Sequence, residues 1–231
     1  MQPGIIAGER VLSHAELAGR ALKAAGGLAR LGVGENDSVA LMLRNDFAVF
    51  EANIAAGMVG AYAVPLNWHF TADEAGYVLR DCAAKVLVVH ADLLPQIASA
   101  IPDSTRVFVV PTPAEIAAAY RVNDAAAAQP AGRAAWADFV AGSKPLDVPP
   151  KLSRGSMIYT SGTTGRPKGV RRNPPTQAQM DAAMQQIGAL WGLQPDPSAV
   201  VLMNGPMYHC ARRLWHGRGT QPDEYRAAAA L

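Results

Sequence analysis

Tyr159-Thr160-Ser161-Gly162-Thr163-Thr164-Gly165-Arg166-Pro167-Lys168-Gly169-Val170 gathers four small hydroxyl side chains, three glycines and a lysine into one short run. Ahead of it, Ser156-Met157-Ile158-Tyr159 reads as the end of a short strand. Behind it, after Pro174-Pro175, Thr176 to Leu190 reads as a helix. A glycine-rich bend between strand and helix is a place where backbone N–H groups converge on a phosphate. Glycine has no Cβ to hold a ligand away from such a bend. Thr160, Ser161, Thr163 and Thr164 add rotatable hydroxyl donors, and Lys168 a mobile point charge. A lysine about 4 Å from a phosphate oxygen is worth roughly 4 kcal/mol at an effective dielectric near 20, so the run suits a polyphosphate.

The run is not a Walker A loop, which needs Gly-x-x-x-x-Gly-Lys-Ser/Thr. Counted from Gly162, the second glycine position holds Pro167, and Gly169 stands where the hydroxyl should follow Lys168.

Outward from this run the chain alternates strands and helices. Val11 to Leu31 reads as an amphipathic helix capped by Ser13 with Glu16 in the box position, weakened in its middle by Gly26-Gly27 and ended by Gly32 and Gly34. Val39 to Leu43 is apolar at every position, which suits a strand buried on both faces. A helix from Phe47 to about Met58 follows, opened by Asn45 and Asp46, and then a strand from Ala61 to Leu66. Thr71 to Cys82 reads as a helix with a Thr71/Glu74 box, Lys85 to Val89 as a buried strand, Asp92 to Ala100 as a short helix and Arg106 to Val110 as a strand. The alanine-rich segment from Pro111 to Gln129 carries little signal. A short helix is expected around Trp136, a linker from Ser143 to Ser153, and a further buried strand at Val200 to Met203. Alternation with short links predicts an α/β fold, a mainly parallel sheet flanked by helices.

The stretch Thr160 to Gly169 resembles the phosphate loop of the adenylate-forming enzymes, the superfamily of acyl-CoA synthetases, peptide-synthetase adenylation domains and luciferase. Their signature, Thr-Ser-Gly-Thr-Thr-Gly-x-Pro-Lys-Gly, is matched at every fixed position. So specific a match weighs against a polar surface loop that binds nothing. Leu31 to Ala40, Pro65-Leu66-Asn67 with Thr71 to Glu74, and Ala83 to Val88 are similar to scaffold segments of the same family. Pro206-Met207-Tyr208-His209 is similar to its Pro-x-x-His segment. The fold expected is therefore the partial N-terminal domain of such an enzyme.

The resemblance implies a chemistry. Thr160, Ser161, Gly162, Thr163, Thr164, Gly165, Lys168 and Gly169 would hold the phosphates of ATP, with Lys168 as the catalytic charge and Thr164 as the contact to Mg²⁺. Tyr208 and His209 would border the acyl pocket of a fatty or aryl acid, and coenzyme A would be the co-substrate. Joining a carboxylate to AMP converts a poor electrophile into a mixed anhydride, provided the charge growing on pyrophosphate is neutralised. The family's adenine-binding aromatic-Gly-x-Thr-Glu segment, its ribose-binding aspartate and the lysine of its small C-terminal domain have no match here. The chain is therefore expected to be an N-terminal fragment, inactive alone, with a partial AMP-binding domain over residues 1–210. Residues 211–231 are expected to be foreign to the fold, frameshifted or disordered. A non-catalytic fragment with weak phosphate binding and a peptide-synthetase adenylation domain are the alternatives.

Composition bounds the rest. At 231 residues, with half of them hydrophobic and 17% charged, the chain reads as an ordinary globular protein. A net charge of +2 calls for no nucleic acid partner. Cys82 and Cys210 form no Cys-x-x-Cys unit, and His209, Cys210 and His216 fit no common zinc spacing. The longest apolar run, Ile54 to Leu66, is broken by Gly57, Gly60 and Pro65, so no membrane span is expected. No secretory leader is read at the N-terminus, and the expected location is cytoplasmic. A sheet stopped after Met203 would expose an edge, so self-association is expected.

Overall fold

The structure is a computed structural model that describes residues 4–160, 166–190, 200–203, 205–208 and 226–229. Its centre is β3 (Ser38–Met42), buried at every position. It lies in a four-stranded sheet of order β4-β3-β5-β6, with β4 at Tyr62–Pro65, β5 at Ala84–His90 and β6 at Arg106–Val110. Every pairing in this sheet is parallel. The unbroken apolar runs follow from that position, because a central parallel strand has no wet face.

Successive side chains of these strands enter two cores. Val39, Leu41, Val86, Val88 and Phe108 pack with α1 (His14–Arg30), α2 (Phe47–Met58) and α7 (Trp136–Gly142). Ala40, Met42, Val64, Leu87 and Val89 pack with α3 (Ala72–Asp81) and α4 (Leu94–Ile97). The result is the expected α/β arrangement, helices on both faces of a parallel sheet. No helix among the described residues is long and apolar enough to cross a membrane.

Local signals set the element ends. Ser13 Oγ accepts from Glu16 N while Ser13 N donates to Glu16 Oε2, and Thr71 and Glu74 repeat the device at α3. Helix α1 therefore starts at His14 rather than Val11. Val11 and Leu12 belong instead to β2 (Arg10–Ser13), which pairs antiparallel with β1 (Gly4–Ala7). At the other end of α1 the chain turns at Gly32, with φ of +77°, as Val33 N donates to Leu28 O and Gly32 N to Ala29 O.

Gly26 and Gly27, expected to weaken the middle of α1, lie within its unbroken span. They let the α7 region approach: a Cβ on Gly26 would stand 2.2 Å from Lys144 O, and one on Gly27 would stand 2.5 Å from Phe139 Cζ. Nearby, the buried carboxylate of Glu51 on α2 accepts from Trp136 Nε1 at 3.0 Å and meets Arg20 Nε of α1 at 2.8 Å. Burial raises the Glu51 pKa, with Arg20 pulling the other way.

Asp46, just ahead of α2, makes no side-chain cap bond. Its carboxylate pairs with Arg10 NH2 at 2.8 Å and lies 3.5 Å from Nε2 of the fully buried His90. Arg10 also pairs with Glu115 on α5 (Ala114–Tyr120), so the N-terminal ribbon is locked to α2, β5 and α5. Burial alone would raise the Asp46 pKa; His90 and Arg10 outweigh it and hold the carboxyl at about 2.

The alanine-rich segment yields α5 and a short α6 (Asp124–Ala127). In a second sheet, β1 pairs with β10 (Arg226–Ala229), which pairs in turn with β9 (Val200–Met203), both parallel. Four residues of the segment expected to lie outside the fold thus take part in a sheet. The rest of 211–231 that is not β10 lies outside the described residues, as do His216 and Cys210.

Candidate nucleotide and acyl site

The glycine-rich run is closed at its base by a hairpin. Strand β7 (Tyr159–Thr160) pairs antiparallel with β8 (Lys168–Gly169), with Tyr159 opposite Gly169 and Thr160 opposite Lys168. The sequence reading passed over β8, because a two-residue strand of lysine and glycine has neither β-propensity nor alternation. Helix α8 (Gln177–Leu190) begins well beyond it. The strand leading into the hairpin runs parallel to the edge strand β4: Ser156 bridges Ala63, and Met157 N donates to Ala63 O at 2.9 Å. It therefore advances toward the same end of the sheet as the carboxyl ends of the parallel strands, where open α/β sheets bind ligands.

Thr160 and Lys168 are both exposed, side by side across the hairpin. Gly169 is required by its neighbour: a Cβ there would stand 2.6 Å from the Tyr159 ring and 2.9 Å from Met157 Sδ. The Tyr159 phenol donates to Asp81 at the end of α3. Burial and that hydrogen bond push the phenol well above the ordinary tyrosine range. Arg166 places its guanidinium 5.1 Å from the Tyr77 ring, and Tyr62 Oη donates to Arg172 O at 2.7 Å, so the β8 limb of the hairpin rests on α3 and on the edge strand β4. Ser161, Gly162, Thr163, Thr164 and Gly165 lie outside the described residues, which leaves the expected Mg²⁺ contact of Thr164 without a position. Buried Cys82 is not a nucleophile beside this site, since burial pushes its thiol up to about 11.

The second cluster stands at the carboxyl ends of β3, β4 and β5. Tyr208 packs edge-on against Trp68, with ring centroids 4.7 Å apart and planes at 89°. Arg44 lies 3.8 Å from the centroid of Tyr120 and pairs with Asp92 at 2.6 Å. Burial raises the Tyr208 pKa, with Tyr120 adding to the effect. Asn45 Nδ2 donates to Gly205 O at 2.9 Å, and Met207 N donates to Asn45 Oδ1 at 2.9 Å. His209, the residue after Tyr208, lies outside the described residues. Sequence reasoning had placed Asn45 only as a helix opener and passed over Trp68 and Asp81. Trp68-His69, an aromatic pair directly after a strand, was the available signal for the aromatic wall.

The sequence pattern of the AMP-binding enzymes matches residues 2–217, and the chain belongs to that family. Its relatives are CoA ligases. It is 30% identical over 174 residues to the 3-hydroxybenzoate–CoA ligase of an Aromatoleum species, a match covering 73% of this chain and 30% of that enzyme. It is 31% identical over 163 residues to the long-chain-fatty-acid–CoA ligase FadD13 of Mycobacterium tuberculosis, covering 69% of this chain and 29% of the relative. An anthranilate CoA ligase solved in complex with anthranoyl-AMP superposes over the whole chain with a TM-score of 0.73 at 21% identity, and 42% of that protein is covered. The chain thus spans under a third of these curated relatives, and the solved structure confirms the fold.

Proposed function

We propose that this chain is the nucleotide-gripping N-terminal part of an acyl-CoA synthetase, an ATP-dependent acid–thiol ligase. In the first step a carboxylate oxygen attacks the α-phosphorus of ATP, the bond to pyrophosphate breaks, and an acyl-adenylate forms. In the second, the thiol of coenzyme A attacks the acyl carbonyl, loses its proton and releases AMP. Residues Thr160 to Gly169 hold the triphosphate, with Lys168 meeting the charge that develops on pyrophosphate. Thr164 is the residue of this chain that would hold Mg²⁺, which would supply further neutralisation of phosphate charge. Tyr208 and His209 border the acyl pocket.

The observation that carries this reading is the register of β7 and β8, which sets Thr160 beside Lys168, both facing solvent, at the mouth of the glycine-rich turn. Backbone pairing holds Thr160 and Lys168 together without a ligand, which lowers the cost of ordering these two side chains on binding. The substrate is a fatty or aryl acid, as for the two relatives above. We further assign residues 1–210 to the partial AMP-binding domain, the cytoplasm as its location, and the outer edges of the second sheet, β2 and β9, as surfaces for self-association.

Exchange of labelled pyrophosphate into ATP, driven by a panel of fatty and aryl acids, tests the reading in a complete synthetase that carries this segment, the segment by itself being expected inactive. Acid-dependent exchange that falls on the order of 10²–10³-fold in Lys168→Ala is expected. Exchange unaffected by the substitution would refute the role of the loop.

A further inference from the structure

We propose that Asn45 is a positioning residue for the acyl site, holding the segment that carries Tyr208 through two hydrogen bonds made by one side-chain amide. The proposal rests on the reading of Tyr208 as a border of the acyl pocket. The segment Gly205–Tyr208 is separated by roughly 160 positions from the turn it docks on, with |i−j| of 160 and 162 for the two bonds. Among the described residues it forms no strand with that turn. The Asn45 carboxamide holds its backbone, taking the Met207 N–H with its oxygen and giving its own N–H to the Gly205 carbonyl, each at 2.9 Å. The pair imitates one rung of a β-ladder, because a side-chain amide carries its donor and its acceptor on two separate atoms.

The turn that carries Asn45 is itself rigid. On one side the backbone N–H of Arg44 donates to Nδ1 of buried His90 at 2.9 Å. On the other side Asp46 is tied to Arg10. The far end of the held segment is fixed by packing: Met207 is fully buried, and Tyr208 meets Trp68 edge-on. Asn45 therefore sets the depth of the segment, and the aromatic contact sets the angle of the Tyr208 ring. Loss of the amide frees the backbone on both sides of Pro206 while leaving the parallel sheet and both cores intact.

The test uses the full 231-residue chain labelled with 3-fluorotyrosine, the Tyr208 signal being assigned from Tyr208→Phe. In the wild type the Trp68 ring displaces the Tyr208 fluorine resonance. In Asn45→Ala that resonance is expected to move toward free fluorotyrosine, while those of Tyr62, Tyr77 and Tyr159 stay in place and report an intact fold. Asn45→Asp, which keeps the acceptor for Met207 N–H and loses the donor to Gly205 O, is expected to move it part of the way and stands in if the alanine variant does not fold. A Tyr208 resonance unmoved in either folded variant overturns the proposal. In pyrophosphate exchange by a complete synthetase that carries this segment, the KM for the acid is expected to rise about tenfold in Asn45→Ala, the KM for ATP remaining unchanged. Equal losses toward both substrates also overturn the proposal. Absence of exchange in the wild type itself would instead remove the functional reading, and the fluorine shift would still decide whether Asn45 positions Tyr208.

Discussion

Tyr159, at the base of the glycine-rich hairpin, gives its phenolic hydrogen to Asp81 at the end of α3, joining a loop limb to a helix that belongs to the core. The bond fixes the tilt of β7 and, through the cross-strand register, the place of Lys168. Tyr159→Phe is expected to cost about 1.5–3 kcal/mol of stability, the worth of one hydrogen bond to a carboxylate. Amide exchange at Thr160 and Lys168 should quicken while exchange in β3 and β5 stays slow. Unchanged exchange at the hairpin would dismiss the anchor.

Because the Tyr159 phenol is raised above its ordinary value, its neutral form is the one the fold favours. Its contribution is complete below the unfolded tyrosine pKa near 10 and fades as pH climbs past it. Thermal melts from pH 8 to 11 are expected to show a steeper alkaline loss in the wild type than in Tyr159→Phe.

Asp46 shows the opposite dependence. Its carboxyl is held at about 2 in the fold, below its unfolded value, so the stability it provides is present above about pH 4 and is lost as pH falls toward 2. The shift corresponds to about 2 kcal/mol. Asp46→Asn is expected to lower the melting temperature at pH 6 and to flatten the acid limb between pH 4 and pH 2. A variant that retains the full acid slope would place the titrating group elsewhere.

Two glycines of α1 should respond with opposite signs. Gly19 is exposed and a Cβ there meets nothing within 4 Å, so Gly19→Ala is expected to stabilise by roughly 0.5–1 kcal/mol through helix propensity. At Gly26 the new Cβ would strike the Lys144 carbonyl, which is backbone and cannot rotate away. Gly26→Ala is expected to destabilise by about 2 kcal/mol despite the same gain in propensity. Denaturant melts of the two variants against the wild type decide both.

Much of the fold could be read from local pattern. Fully apolar runs such as Val86–Val89 announced strands without a wet face, and the Ser13/Glu16 and Thr71/Glu74 spacings announced helix starts, because these signals act within a few residues. What escaped depends on partners distant in sequence. Gly26-Gly27 is a weak spot in isolation and a close-packing site only once Lys144 and Phe139 are present. The pairing of Lys168 with Thr160 follows from a turn, and no periodicity marks a strand of two residues. At the candidate site the motif pointed to the hairpin, whereas Asn45, Trp68 and Asp81 acquire their roles through contacts that no short spacing encodes.

The hairpin meets the central sheet on an outermost strand, where Ser156 bridges Ala63, rather than growing out of a middle one. Its base is nonetheless stitched inward, with Met157 buried and Tyr159 bonded to Asp81. Substitutions at the outward-facing Thr160 and Lys168 are therefore expected to leave melting unchanged, whereas those at Met157, Tyr159 or Gly169 also reach the scaffold, so grip and sturdiness can be tuned separately only at the outward-facing positions.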